Sequence, residues 1–155
     1  VPLVIPGELV RVRVWANRST HSVADLVEVI EASPRRIAPP CEFFGTCGGC
    51  QYQYMTIEEQ RMWKRQHVLD SLERIGGFKD LEVEAVIGSE HIYGYRSKLT
   101  PHYDKPDRET GEIGPIGFMR RHGKGRLVDV PHCLIATDAI NERLKGLRED
   151  VKKKA

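Results

Sequence analysis

The sequence predicts an α+β fold: a partial β-barrel, followed by an antiparallel sheet with two helices. Three observations lead to this prediction. Apolar and polar residues alternate near the N-terminus and again in the second half of the chain, which is typical of half-buried strands. Two segments have helical apolar spacing and begin at capping residues. With 155 residues, the chain can form one sizeable core, or a small module beside a medium one.

The first module is predicted from residues 7–15, which alternate apolar and basic side chains. This pattern indicates a strand with Val10, Val12 and Val14 on its buried face. A second strand is expected over residues 23–30. Two strands are marginally stable alone, so we expect the rest of a small barrel to precede them. The missing initiator methionine agrees with a piece of a longer protein.

Residues 34–40 are rich in proline and arginine, and are predicted to be a stiff linker between a domain at 1–33 and a domain at 41–155. The next helix is expected to begin at Thr56, where Glu59 completes a capping box. It is expected to stop at Gly76-Gly77. The stripe predicted to be buried along this helix comprises Ile57, Val68, Leu69, Leu72 and Ile75.

Strands are next expected over residues 81–87, 95–103, 113–121 and 126–130, which would form an antiparallel meander. The second of these places three apolar or aromatic residues on one face and three basic ones on the other: Tyr95, Leu99 and Tyr103 against Arg96, Lys98 and His102. The final helix should begin at Thr137 or Asp138, with a stripe at Ile140, Leu144, Leu147 and Val151.

Four cysteines are the strongest functional signal in the chain. Cys41, Cys47 and Cys50 lie within ten residues, and Cys133 follows far downstream. Four thiolates form one complete ligand set for a metal or an iron–sulfur cluster. Disulfides are disfavoured because they need an oxidising compartment, and nothing in the sequence points to secretion.

Zinc and a [4Fe–4S] cluster are the two serious interpretations of this ligand set. Structural zinc sites usually pair two short knuckles, whereas here three cysteines share one loop and the fourth is remote. That spacing favours a cluster, which a loop must wrap. Gly48 and Gly49 would let the backbone approach the sulfurs. The cluster would tie the loop to the far end of the sheet, so we expect a structural role for it.

The segment from Arg96 to Arg126 is rich in basic residues, although the net charge of the chain is only +2. A phosphate-binding surface and a solvated sheet face both explain this pattern. The candidates for phosphate contacts are Arg96, Lys98, Arg120, Arg121, Lys124 and Arg126. Tyr52, Tyr54 and Trp63 are candidates for base stacking, and burial in the core is the alternative interpretation of all three.

Four segments match, in order, the motifs of one known family. They are Pro6-Gly7-Glu8 with the following strands, residues 41–53, residues 93–98, and residues 117–121 with 128–133. In these segments the chain resembles RNA (uracil-5-)-methyltransferases, specifically the iron–sulfur branch that acts on 23S ribosomal RNA. The resemblance implies a [4Fe–4S] cluster, and it implies that residues 1–33 are the end of a TRAM domain, an OB-like RNA-binding barrel.

Members of this family methylate C5 of uridine with S-adenosylmethionine, after a catalytic cysteine adds to C6 of the base. Here a cluster would use all four cysteines, and no strand is followed by a Gly-x-Gly-x-Gly cofactor turn. The resemblance therefore implies an RNA-binding piece that is inactive alone and does not bind S-adenosylmethionine. The full-length chain would carry a C-terminal methyltransferase domain.

The expected partner is RNA. Ribosomal RNA is favoured because the transfer-RNA branch of the family commonly lacks these cysteines. Two other functions are kept open: a non-catalytic RNA-binding or ribosome-assembly protein derived from this family, and a zinc-stabilised binding module. No run of about 18 apolar residues is present, so no membrane helix is expected. The predicted location is the cytoplasm, with an organellar matrix or stroma as the alternative.

Overall fold

The computed structural model describes residues 1–123 and 125–154, and over these residues it contains two antiparallel sheets of two strands each and two helices. In chain order they are β1 (Leu9–Asn17), β2 (Ser22–Glu31), α1 (Ile57–Arg74), β3 (Gly117–Met119), β4 (Leu127–Asp129) and α2 (Asp138–Lys153). The α+β prediction is confirmed, but the meander expected over residues 81–130 is reduced to the two-stranded sheet of β3 and β4 and a few isolated bridges.

The chain divides into two compact units, which are described separately below. The first unit contains Val1–Pro39 and Tyr52–Gly88, and it therefore holds β1, β2 and α1. The second contains Pro40–Gln51 and Ser89–Ala155, and it holds the cysteine loop, β3, β4 and α2.

The hairpin of the first unit pairs β1 with β2 in antiparallel register, for example Val10 with Val29. Val10 and Val12 are half-buried, as predicted. The prediction for Val14 is wrong, because its side chain is 51% exposed. The register shifts beside Val14, and a bulge turns side chains away from a regular face.

A buried carboxylate closes the base of this hairpin. The Glu8 side chain is 0% exposed and forms an ion pair with Arg36 at 2.5 Å. It also accepts hydrogen bonds from the backbone N–H groups of Ile5 and Ser33. The Arg36 hydrogen bond, opposed by burial and reinforced by the two backbone donors, lowers the pKa of Glu8 to about 2. Arg36 lies over the ring of Tyr54, 4.9 Å from its centroid.

Helix α1 begins and ends as predicted. The Thr56 hydroxyl accepts a hydrogen bond from the Glu59 N–H. The second half of the capping box does not form, because Thr56 N–H donates to Arg35 O and the Glu59 carboxylate accepts from Trp63 Nε1. The helix stops before Gly77, which has φ +69° and therefore suits glycine.

The predicted apolar stripe of α1 is only partly buried. Ile57, Leu69 and Leu72 are half-buried, whereas Val68 is 48% and Ile75 is 87% exposed. The physical reason is the position of the core: the buried residues of the first unit lie at and before the N-terminal end of α1. They are Ile5, Ala24, Gln53, Tyr54, Met55 and Glu59.

The predicted strand over residues 81–87 is wrong, because this segment has no regular secondary structure. A strand needs a neighbouring backbone with which to pair. Here the Val83 carbonyl accepts its hydrogen bond from the Arg65 side chain instead.

In the second unit, β3 and β4 pair in antiparallel register, with Phe118 opposite Val128. Both are much shorter than predicted. Gly117 makes the pairing possible, since a Cβ there would lie 2.2 Å from Val128 O. Beside this sheet, His102 and Gly117 exchange two backbone hydrogen bonds.

The predicted continuous strand over residues 95–103 is wrong. Only Arg96 and His102 pair as single bridges, and the bridge from Arg96 to Ala136 is parallel. Pro101, which has no N–H to donate, interrupts the segment. Tyr95 and Tyr103 are 54% and 51% exposed.

Helix α2 begins after Thr137, as predicted, and the Thr137 hydroxyl accepts from the Ile140 N–H. Leu144 is buried, as are Ile116 and Val130 of the same unit. Arg148 joins the helix to the sheet through two hydrogen bonds to the Asp129 carboxylate, at 3.0 and 2.9 Å, and a third to Ile116 O. Neither of the helices in the described residues combines the length and apolar character needed to cross a membrane.

We expect the Glu8→Gln variant to be less stable at pH 7 by about 2–3 kcal/mol, because it removes the buried charge that Arg36 pairs with. The folded-state pKa of Glu8 lies below its unfolded value near 4.5. Its stabilisation is therefore complete above about pH 4.5 and is lost as the pH falls towards 2. Urea unfolding between pH 7 and pH 3 should show a shallower pH dependence in the variant than in the wild type.

The matched control for this experiment is Glu28→Gln, which breaks the exposed pair between Arg11 and Glu28. Exposed pairs contribute about 1 kcal/mol or less, so this variant should unfold nearly like the wild type at every pH. Equal losses in the two variants would contradict the role given to Glu8.

Candidate metal centre and basic surface

The cysteine loop of residues 41–50 is folded by successive tight turns. Phe44 N–H donates to Cys41 O at 3.0 Å, and Cys47 N–H donates to Phe43 O at 2.8 Å. Gly45, at φ +82°, takes the left-handed conformation that these turns require. The loop therefore folds back between its first two cysteines.

The same loop is attached to the edge of β3. Gly48 N–H donates to Met119 O at 2.9 Å, and Arg121 N–H donates to Thr46 O at 2.8 Å, so that Cys47 lies opposite Arg120. A Cβ at Gly48 would lie only 3.1 Å from Met119 O. The predicted close approach of Gly48 is therefore real, but its neighbour is a strand carbonyl.

Cys133 is fixed by a buried amide in the turn before α2. Asn141, which is 7% exposed, accepts from Cys133 N–H at 2.8 Å through Oδ1 and donates to Cys133 O at 3.1 Å through Nδ2. The same Nδ2 lies 3.3 Å from Ala136 O. Asn141 thus holds both backbone polar groups of one candidate ligand.

Electrostatics link Cys47 with two other thiols, and Tyr93 with Cys41 and Cys50. Burial raises the pKa of the Cys47 thiol, a hydrogen bond from Gly49 N–H opposes this, and the negative charges of Cys133 and Cys41 raise it further. Burial also raises the pKa of Tyr93, with added contributions from Cys50 and Cys41. The charge of Cys41 therefore affects both Cys47 and Tyr93, that of Cys133 affects Cys47, and that of Cys50 affects Tyr93.

Thiolates gathered in this way repel one another unless a cation lies between them. No disulfide joins the four cysteines. Across residues 1–123 and 125–154, no set of three or more His, Cys, Asp or Glu side chains is spaced to hold a single metal ion. The donor set suits a thiolate-liganded centre, although its sulfurs are not arranged around one ion.

The candidate phosphate contacts are found in two exposed places. Arg96 and Lys98 lie on one segment, where Arg96 Nε donates to Lys98 O. Arg120 and Arg126 lie beside β3 and β4, joined by a hydrogen bond from Arg120 N–H to Arg126 O at 2.8 Å.

Two members of the predicted set differ from the rest. Arg121 is half-buried, and its Nη1 is buried without a hydrogen-bond partner among the described residues. Lys124 lies outside the described residues.

Of the stacking candidates, Tyr54 is 5% exposed and belongs to the core of the first unit. Trp63 is half-buried and hydrogen-bonded to Glu59. Tyr52 is 37% exposed.

Sequence reasoning missed Asn141 and Arg148, which fix Cys133 and the sheet. Both lie at helical spacing from the buried Leu144, three residues before it and four residues after it. A polar residue within an apolar stripe was therefore the available signal, since buried polar groups need specific partners.

Comparison with known proteins gives a consistent result. No model of a protein family matches the chain. The chain is 35% identical to a tRNA (uracil(54)-C(5))-methyltransferase of Schizosaccharomyces pombe, over all of this chain and 30% of that protein. It is 36% identical to a 23S rRNA (uracil(1939)-C(5))-methyltransferase of Halomonas elongata, over 95% of this chain and 29% of that protein.

A solved structure shows the same similarity. The crystal structure of Pyrococcus abyssi tRNA (uracil-54, C5)-methyltransferase in complex with S-adenosyl-L-homocysteine has a TM-score of 0.59 and 26% identity, covering 99% of this chain and 32% of that one. The chain thus spans about a third of the length of the proteins it matches. Its homologues are RNA uracil-C5-methyltransferases, and the matches reported above extend over 95% or more of this chain.

Proposed function

We propose that this chain is the RNA-binding, [4Fe–4S]-carrying portion of an S-adenosylmethionine-dependent RNA uridine C5-methyltransferase. The observation that carries the proposal is the match of nearly the whole chain to a third of such enzymes. Residues 1–33 are proposed to be the end of a TRAM-like, OB-like barrel, residues 34–40 a linker, and residues 41–155 the cluster domain. The half-exposed apolar residues of the hairpin support the barrel, since further strands would cover them: Leu9, Val14, Trp15, Val27 and Ile30.

Cys41, Cys47, Cys50 and Cys133 would hold the cluster. The influence of Cys41 and Cys133 on Cys47, and of Cys41 and Cys50 on Tyr93, supports this assignment, as does the N–H of Gly49 directed at Cys47 Sγ at 3.4 Å. When bound, the cluster would supply a cross-link between the cysteine loop and the turn before α2. Because the chain has four cysteines in total, none would remain as a nucleophile, and methyl transfer is assigned to a catalytic domain outside this sequence.

The proposed partner is RNA in which the target uridine is unpaired or flipped, since C5 is otherwise stacked within a helix. Ribosomal RNA is the first candidate, on the basis of the cysteine loop. Transfer RNA is the second, and the similarity to the S. pombe and P. abyssi enzymes supports it.

We expect the chain, purified without oxygen, to be brown, to absorb broadly near 400 nm and to contain about four irons. The Cys133→Ser variant should lose most of this iron, because its hydroxyl is a poor cluster ligand. The iron, zinc and sulfide contents of the wild type and the variant are measured. A colourless protein with one zinc per chain would instead assign the cysteines to a zinc-stabilised module.

We expect Asn141→Ala to destabilise the chain by about 2–4 kcal/mol, because it leaves buried backbone groups of Cys133 without partners. The same variant should retain less iron after purification, since the Cys133 turn is no longer held in place. Urea unfolding and iron analysis measure the two effects. Glu142→Ala, at the exposed neighbouring position on α2, is the matched control and should change the stability by about 0.5 kcal/mol or less.

We expect the double variant Arg120→Gln with Arg126→Gln to bind RNA more weakly and with less dependence on salt. Each lost phosphate contact should reduce the slope of log K against log salt by about 0.7–0.9. The control is Lys64→Gln with Arg74→Gln, which removes two exposed charges from α1. Equal slopes for both double variants would contradict a specific surface beside β3 and β4.

A further inference from the structure

A cavity of about 400 Å³ lies in the second unit, between α2 and the chain that leads into β3. Its walls are largely apolar: Tyr103, Pro106 and Ile113 line one side, and Leu147 and Val151 of α2 line the other. Its volume falls within the range of about 300–1,000 Å³ that is typical of small-ligand sites. None of these residues is among the candidate metal ligands or phosphate contacts described above.

The aromatic wall of the cavity is available to a ligand. Tyr103 is 51% exposed, so half of a large apolar side chain faces solvent at a concave site. Tyrosine rings exposed in this way stack on nucleobases with little dependence on sequence, because every base presents an aromatic face. An exposed ring beside half-buried aliphatic residues is therefore suited to a planar, partly apolar group.

Charged side chains complete the lining. Arg143, Asp150 and Lys154 are all exposed. Asp150 lies two helical turns after Arg143 on the same side of α2, and Lys154 is the residue that caps the C-terminal end of this helix. None of the three side chains has a hydrogen bond or ion pair with another described residue, in contrast to Arg148 on the same helix, which is fully engaged with Asp129. Two cations against one carboxylate favour an anionic ligand, and the carboxylate can accept hydrogen bonds from base N–H groups.

We propose that this cavity binds one unpaired nucleotide of an RNA strand, with the base against Tyr103 and a phosphate near Arg143 and Lys154. The inference rests on the proposed RNA-binding function and adds a second contact point, separate from the basic residues beside β3 and β4. An unpaired nucleotide fits better than a base pair, because stacking on Tyr103 needs a base that has left its own stack.

The test uses the full chain, a short fluorescein-labelled single-stranded oligouridylate, and a duplex RNA of the same length. Tyr103→Ala should weaken binding of the single strand by about tenfold and leave duplex binding unchanged. Tyr103→Phe, which keeps the ring, should bind like the wild type. Arg143→Gln with Lys154→Gln should reduce the salt slope for the single strand by up to about 1.4, at about 0.7 for each phosphate contact.

Lys145→Gln is the matched control, since it is an exposed cation on α2 that does not line the cavity. Asp150→Asn keeps an oxygen that can accept from a base N–H and removes a negative charge near the phosphate, so it should tighten binding. Circular dichroism and thermal unfolding establish that each variant is folded. Because Tyr103 and both cations are exposed, these substitutions should leave the melting temperature within a few degrees of the wild type.

Several outcomes would overturn the assignment. If Tyr103→Ala binds the single strand like the wild type while the variant at Arg120 and Arg126 does not, the cavity proposal fails and RNA binding stands. If the wild type binds neither RNA, the cavity proposal and the proposed function fail together. Uridine 5′-monophosphate binding as tightly as the strand would indicate a free-nucleotide site. Cavity variants that change only self-association in sedimentation would assign the cavity to a second copy of the chain.

Discussion

The second unit depends on a very short sheet whose edges are extended by backbone hydrogen bonds from other segments. Strands β3 and β4 contain three residues each, too few to form a stable sheet alone. His102 pairs with Gly117 on one side of this sheet, and the cysteine loop pairs with Met119 and Arg121 beyond the end of β3. The cysteine loop is therefore attached to the sheet by main-chain hydrogen bonds, which a change of side chain nearby would disturb little.

This arrangement explains how a chain of modest core size can position the candidate metal ligands. Cys47 is fixed through its backbone neighbours in the loop, and Cys133 is fixed through the amide of Asn141. Arg148 then joins the same helix to Asp129 at the end of β4. The thiols thus come from two segments that are each tied to the sheet or to α2, and a bound cluster would join segments that are already ordered.

The sequence predicted best those features that depend on local chemistry. Thr56 and Thr137 cap their helices as expected, because the capping hydrogen bond joins residues three apart. The burial of Val68 and Ile75 was predicted wrongly, since periodicity indicates which side of a helix is apolar but not whether another element covers it. The strand expected at 81–87 does not form, because its pattern does not show whether another backbone segment is available for pairing. The Val83 carbonyl is paired with a side chain instead.

In the candidate site, too, features set by local sequence were predictable and features set by distant contacts were not. The cysteines could be selected from their count and spacing, whereas Asn141, Tyr93 and the cavity beside Tyr103 depend on contacts between distant residues. Gly48 of the cysteine loop is an intermediate case. Its need for close approach was predictable, but the strand carbonyl that it approaches was not.

The hairpin of β1 and β2 has a consequence for the behaviour of the isolated chain in solution. Both of its strands are edge strands within the described sheet, and unpaired edges recruit strands from other molecules. Opposite charges face one another across the hairpin, with Arg11 beside Glu28 and Arg13 beside Asp25. These charges oppose pairing with strands of other molecules over the middle of the hairpin. Near the turn, Val14 and Trp15 are exposed without such protection, so self-association of the isolated chain should begin at that end.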